Sequence, residues 1–143
     1  MPRILGIDHG TRRIGLALSD EQGIIATPLG TVHGTEATAA AAEIGKICAE
    51  KRVSLIVVGL PLNMDGSAGP SAAAANEFAK ALRDKIGLPV ETLDERLSTS
   101  LVERALLEGD ARRSKRRDVR DRLAAQVILQ GYLDRKNSVA PQE

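Results

Sequence analysis

The sequence predicts an α/β fold: a mixed central sheet, made of a three-stranded antiparallel meander plus parallel strands, flanked by helices. Three observations carry this. The chain opens with short apolar runs separated by turn-forming residues, the order of a meander. From Thr35 onward, helical spacing alternates with apolar strand runs, the order of parallel strands joined through helices. The length of 143 residues, at 43% hydrophobic and 27% charged, suits one globular domain with its own core. Residues 1–143 are therefore expected to form a single domain, with 135–143 as a frayed tail.

The elements follow in order. Ile4-Leu5-Gly6-Ile7-Asp8 is strand-like, His9 to Arg13 is a turn, and Ile14 to Leu18 is a second strand. Ile24 to Val32 predicts a third strand, with Pro28 as the point where it would break. Thr35 to Lys51 sets Ala40, Ile44, Ile47 and Cys48 at helical spacing behind a Thr35 N-cap. Leu55-Ile56-Val57-Val58 is a continuous apolar run, as in a buried parallel strand, and it ends in the Gly59–Gly66 loop. Ser71 to Ile86 is a helix stopped by Gly87, and Val90 to Asp94 is a strand. Leu97 to Leu107 predicts a helix with Leu97, Leu101, Ala105 and Leu106 on one face; a last helix runs from Asp118 to Asp134.

Composition excludes several classes of function. A single cysteine, Cys48, rules out an intramolecular disulfide and a thiolate-rich zinc site, and fits a reducing compartment. No segment approaches the ~18 apolar residues of a membrane span, and none resembles a signal peptide, so the expectation is a cytoplasmic protein with no membrane partner. Phe78 and Tyr132 are the only aromatic residues besides histidine, which argues against modules that read single strands on aromatic platforms. Charge is unevenly spread. Residues 111–122 hold seven cations against Asp118 and Asp121, a net +5, and the rest of the chain sums to −4. One concentrated basic segment on an acidic body points to a polyanionic partner.

Chemistry gathers at carboxylates. Asp8 ends an apolar strand between Gly6 and Gly10, where a carboxylate inside the fold needs a partner or a metal. Asp121 shares a helical stripe with Ala124, Ala125, Ile128 and Tyr132, and the two alanines would let that helix lie close to the sheet. The helix dipole alone favours a carboxylate in a first turn, but Asp118 already supplies that charge. Asp94-Glu95-Arg96 ends a strand, and alternation sends only one of its two carboxylates into any shared site. Carboxylates at element ends suit hard cations such as Mg²⁺ or Mn²⁺, whereas His9 and His33 are too few and wrongly spaced for a zinc pair. Metal-binding carboxylates beside a basic segment define phosphodiester hydrolysis as the reaction class.

At this point the residues resemble a known family. Gly6-Ile7-Asp8-His9-Gly10-Thr11-Arg12-Arg13-Ile14-Gly15-Leu16-Ala17-Leu18-Ser19-Asp20 resembles the opening motif of the YqgF/RuvX family, described both as Holliday junction resolvases and as nucleases of precursor 16S ribosomal RNA. Val58 to Ser67, Asp94 to Thr99 and Asp121 to Leu133 resemble its second, third and fourth motifs. The resemblance implies a ribonuclease H-like fold, a divalent-metal nuclease, and an acidic triad of Asp8, Glu95 and Asp121 as catalytic and metal-holding residues. Position 12 departs from the pattern, with Arg where Lys is commoner, and position 9 carries His.

On that reading Arg13 and Arg96 position phosphates, and Arg112, Arg113, Lys115, Arg116 and Arg117 grip nucleic acid as a basic loop. Asn63 and Asp65 lie on a loop at the rim of the site and touch substrate. The expected substrate is a ribosomal RNA precursor, with branched DNA as the alternative, and the expected state is a monomer or weak homodimer. Two rivals stand beside it. The Asp-x-Gly-Thr turn also resembles the phosphate-binding turn of actin and sugar-kinase ATPases, which need two lobes. A non-catalytic ribosome-assembly protein would keep the fold without turnover.

Overall fold

Strands form where apolar residues run together. β1 (Arg3–His9), β2 (Arg13–Ser19) and β3 (Ala26–His33) make the antiparallel meander. Helix α1 (Ala37–Lys51) then leads into β4 (Val53–Leu60), and α2 (Pro70–Ile86) leads into β5 (Val90–Asp94). A final helix, α3, spans Arg117–Ser138. The computed structural model describes residues 3–10, 13–33, 36–63, 65–94 and 117–138. The expected helix from Leu97 to Leu107 and the basic residues Arg112, Arg113, Lys115 and Arg116 lie outside the described residues.

The five strands lie in the order β3-β2-β1-β4-β5, with β1, β4 and β5 parallel. Parallel neighbours need crossover connections, and α1 and α2 supply them on one face of the sheet. Leu5, Ile7, Ile44, Ile56, Val58, Phe78 and Leu82 form the core beneath those two helices. The opposite face packs Ile4, Ala17, Ala26, Val57 and Leu93 against Ala125, Ile128, Leu129 and Leu133 of α3. Each fully buried Leu or Ile of that stripe contributes about 1.5–3 kcal/mol, which is what docks α3.

Local details depart from the sequence expectations in three places. The N-cap of α1 is Glu36, not Thr35: its Oε1 accepts a 2.8 Å bond from the Ala39 amide, a reach the longer side chain has. Pro28 does not break β3. The register steps from Leu16 opposite Gly30 to Ala17 opposite Pro28, so Leu29 is the extra residue of a bulge on an edge strand, where proline is tolerated. The tail is not frayed from residue 135. Helix α3 continues to Ser138, and the Asn137 amide donates a 3.2 Å bond to the Gly23 carbonyl, fastening its last turn to the β2–β3 connection.

Candidate active site

Residue alternation along β1 sorts its end into two faces. Leu5 and Ile7 belong to the core under α1 and α2, and Ile4 belongs to the core under α3. Asp8 shares the parity of Ile4 and Gly6 and so falls on the α3 face, half-buried. His9 falls on the other face, where its ring lies 4.8 Å from that of Phe78 in α2, tilted by 31°. Burial there holds the His9 imidazole below its ordinary pKa, against a smaller upward pull from the Asp8 carboxylate. His9 and Asp8 are thus adjacent in sequence and directed into different layers.

The neighbours of Asp8 in the sheet are glycines. Gly15 of β2 pairs with Asp8, and the β1–β4 register, Ile7 opposite Val58, brings Gly59 beside it at the next step. Two flanking positions without side chains open a slot around the carboxylate. Arg13 stands two residues from Gly15 on β2 and therefore on the same face, where the 3.0 Å bond from the Gly10 amide to the Arg13 carbonyl closes the turn. The motif around Asp8 is built into one tight hairpin.

Helix α3 runs antiparallel to β1. Gly6 sits so close beneath it that a Cβ there would meet Leu129 Cβ at 2.6 Å and the Ala125 carbonyl oxygen at 3.4 Å. Further down α3, Gln126 Nε2 donates to the Ala26 carbonyl at 3.0 Å, while Gln130 accepts from the Ala26 amide at 2.8 Å and donates to the Ile24 carbonyl at 2.8 Å. Asn137 reaches Gly23. The C-terminal end of α3 therefore lies over the β2–β3 connection, and its N-terminal end points towards the Asp8 end of β1. Two strand residues from Gly6 to Asp8 advance about 6.6 Å. Four helical residues, from Ala125 back to Asp121, advance about 6 Å. The backbone of residue 121 is thus carried to the end of the sheet that holds Asp8.

The remaining expected site residues fall as follows. Asn63 and Asp65 are exposed, on the loop after β4, and bond within it: Asp65 Oδ1 accepts from the Ser67 amide at 2.9 Å and the Ser67 hydroxyl at 2.6 Å, and Asn63 Nδ2 donates to that hydroxyl at 2.9 Å. Glu95 and Arg96 lie outside the described residues, as do the side chains of Arg117 and Asp121. Among the described residues no three metal-type ligands gather. Sequence reasoning missed Gln126 and Gln130, which fix how α3 lies. Their signal was two amides spaced by one helical turn on a helix otherwise apolar towards the sheet. It also missed the Tyr132 hydroxyl, which donates to Glu91 Oε1 at 3.1 Å; burial and the Glu91 carboxylate push the phenol up to about 12.

Residues 2–135 match the sequence profile of RuvX, described as a Holliday junction resolvase. The chain belongs to the RuvX family. Its relatives include a Myxococcus xanthus protein 48% identical over 132 residues, covering 92% of this chain and 87% of the relative. A Cereibacter sphaeroides relative is 52% identical over 132 residues, covering 92% and 82%. A Moorella thermoacetica relative is 48% identical over 133 residues, covering 93% and 95%. All three are provisionally named pre-16S rRNA nucleases. Among solved structures, Thermus thermophilus RuvC in complex with a Holliday junction substrate superposes with a TM-score of 0.60 at 15% identity, over 96% of each chain. That likeness establishes the fold: the mixed five-stranded sheet flanked by helices is ribonuclease H-like, as the RuvX motifs implied.

Proposed function

We propose that this protein hydrolyses phosphodiester bonds in nucleic acid, with precursor 16S ribosomal RNA as its substrate and the bacterial cytoplasm as its place of work. The observation that supports the reading is the glycine-flanked Asp8 at the end of β1, with α3 running antiparallel to β1 so that its N-terminal end points towards the same end of the sheet. The family and the names of its members supply the substrate class.

The donor chemistry suits a hard divalent cation. Asp8 offers oxygen, His9 is turned into the other layer, and Cys48 is buried within α1. Asp8, Glu95 and Asp121 would hold Mg²⁺ or Mn²⁺. When bound, such an ion lowers the pKa of water towards that of a usable nucleophile and offsets charge at the reacting phosphate. The chain's own residues do the rest. Gly15 and Gly59 leave room for a sugar-phosphate strand to approach Asp8. Arg13, on the Asp8 face of β2, meets a phosphate beside the scissile one. Arg96, Arg112, Arg113, Lys115, Arg116 and Arg117 supply cations for flanking phosphates, so binding weakens steeply with salt.

The family description favours a second reading, branched DNA as substrate. Cleavage of a precursor ribosomal RNA fragment and of a four-way DNA junction, side by side with Mg²⁺, Mn²⁺ or EDTA, decides between them. We expect metal-dependent cleavage of the RNA that Asp121→Asn abolishes. Cleavage of the junction alone would move the substrate to DNA. Salt-sensitive binding without turnover of either would replace the nuclease with a ribosome-assembly role.

A further inference from the structure

Beside the row that carries Asp8, the α3 face of the sheet holds a surface pocket of about 320 Å³ walled by Leu93, Tyr132, Arg135 and Lys136. That volume is at the small end of the roughly 300–1,000 Å³ occupied by ligand pockets. Leu93 belongs to the core under α3, and Tyr132 packs against the same core. The 3.1 Å bond from the Tyr132 hydroxyl to Glu91 Oε1 holds the ring in one orientation across the seam between α3 and β5. Arg135 and Lys136, both exposed, stand at the edge in the last turns of α3.

An apolar wall with a fixed aromatic ring, edged by two cations, complements a nucleobase between anionic phosphates. An apolar peptide would leave the cations unused, and a free phosphate would leave the ring unused. The position also fits. Leu93, the wall of the pocket nearest the site, pairs with Gly59, which flanks Asp8, and so lies two inter-strand steps, about 10 Å, from the carboxylate. Tyr132 lies eleven residues along α3 from residue 121, about 16 Å, a span that five nucleotides stacked at roughly 3.4 Å each cover.

We propose that this pocket receives one unstacked base of a single-stranded segment, about five nucleotides from the scissile phosphate. The base lies against the Tyr132 ring, its phosphates meet Arg135 and Lys136, and Glu91 is a positioning residue for the ring. The proposal rests on the nuclease reading above. One ring serves one base, so the pocket is tolerant of sequence and requires a strand that is not fully paired.

Tyr132 is the only tyrosine and the chain has no tryptophan, so its emission reports this pocket alone. The full chain in EDTA is titrated with a short fluorescein-labelled single-stranded oligoribonucleotide and with its abasic counterpart. The base-bearing oligomer is expected to bind about 5- to 150-fold more tightly and to quench Tyr132 emission. Tyr132→Phe, which keeps the ring but loses its bond to Glu91, lowers that preference without abolishing it, Tyr132→Ala loses it, and Lys136→Gln weakens both oligomers alike. Equal binding of the two oligomers, unquenched emission at saturation, or a preference that survives in Tyr132→Ala each overturns the pocket. Where Tyr132→Ala fails to fold, quenching of the unaltered protein decides. Metal-dependent cleavage, measured in parallel, keeps the two readings apart: cleavage without base preference refutes the pocket alone, and base preference without cleavage refutes the nuclease alone.

Discussion

Replacing Gly6 with alanine tests the closeness of α3 to the sheet. The new Cβ would stand 2.6 Å from Leu129 Cβ, where carbon atoms at rest stand about 3.5–4.0 Å apart, so helix and strand must separate by about 1 Å. Overpacking of this kind costs about 1–3 kcal/mol. Alanine returns about 0.5–1 kcal/mol, because glycine is itself unfavourable inside a strand. The net loss is up to about 2.5 kcal/mol. With an unfolding entropy of about 2.1 cal/mol/K per residue, 1 kcal/mol moves the Tm of a chain this long by about 3 °C, so the drop is up to about 8 °C. Gly30→Ala is the control, since nothing lies within 4 Å of its Cβ position; it should leave Tm unchanged or raise it. Differential scanning calorimetry of both variants reads the difference. A Gly6→Ala protein as stable as Gly30→Ala would refute the contact. On the proposed triad the same displacement carries Asp121 away from Asp8, and a misplacement of about 1 Å costs about 10²-fold in rate, so cleavage should fall further than stability does.

Three further outcomes follow from the same structure. Asp8→Asn should abolish metal-dependent cleavage with a Tm within a few degrees of the parent, and retained turnover would remove Asp8 from the site. Ile128→Ala, at a fully buried position under the sheet, should cost about 2–5 kcal/mol in urea unfolding, and a loss under 1 kcal/mol would mean α3 packs loosely. Tyr132 has a folded pKa of about 12 against an ordinary 10.0, so its neutral form is favoured by folding. Its contribution is whole below pH 10 and is lost as the pH rises from 10 towards 12, which Tyr132→Phe should remove; tyrosinate absorbance rising near pH 10 in the folded protein would contradict it.

Most of the sheet was legible because its strands are apolar runs bounded by glycine, proline and aspartate. Leu55–Val58 announces a strand buried on both faces, and Gly87 stops α2 in a left-handed conformation at φ 84°. The closeness of α3 was legible too: Ala124 and Ala125 signalled it, and the structure answers with Gly6 beneath Ala125 and Leu129. Other features depend on partners far away in sequence. The extension of α3 past Arg135 depends on Gly23, more than a hundred residues earlier, which no local window contains. The bulge at Leu29 reflects register with β2 rather than the propensity of Pro28 itself. The opposite facing of Asp8 and His9 was implicit in period-two alternation, but which layer each faces required knowing that α1 and α2 share one side.

The antiparallel docking of α3 on β1 also governs the order in which the molecule is completed. By residue 94 the nascent chain has produced the five described strands, α1 and α2, and with them the core that the described residues form on one side. The other side is still bare, with Ile4, Ala17, Ala26, Val57 and Leu93 waiting for residues 124–133. Contacts between the first strand and the last helix span nearly the full chain, which makes them slow to form and leaves an apolar surface open to association meanwhile. They also act as a safeguard during synthesis. On the proposed triad, Asp121 can join Asp8 only once α3 has been made, so the hydrolytic activity proposed for the chain arises only after that helix has docked.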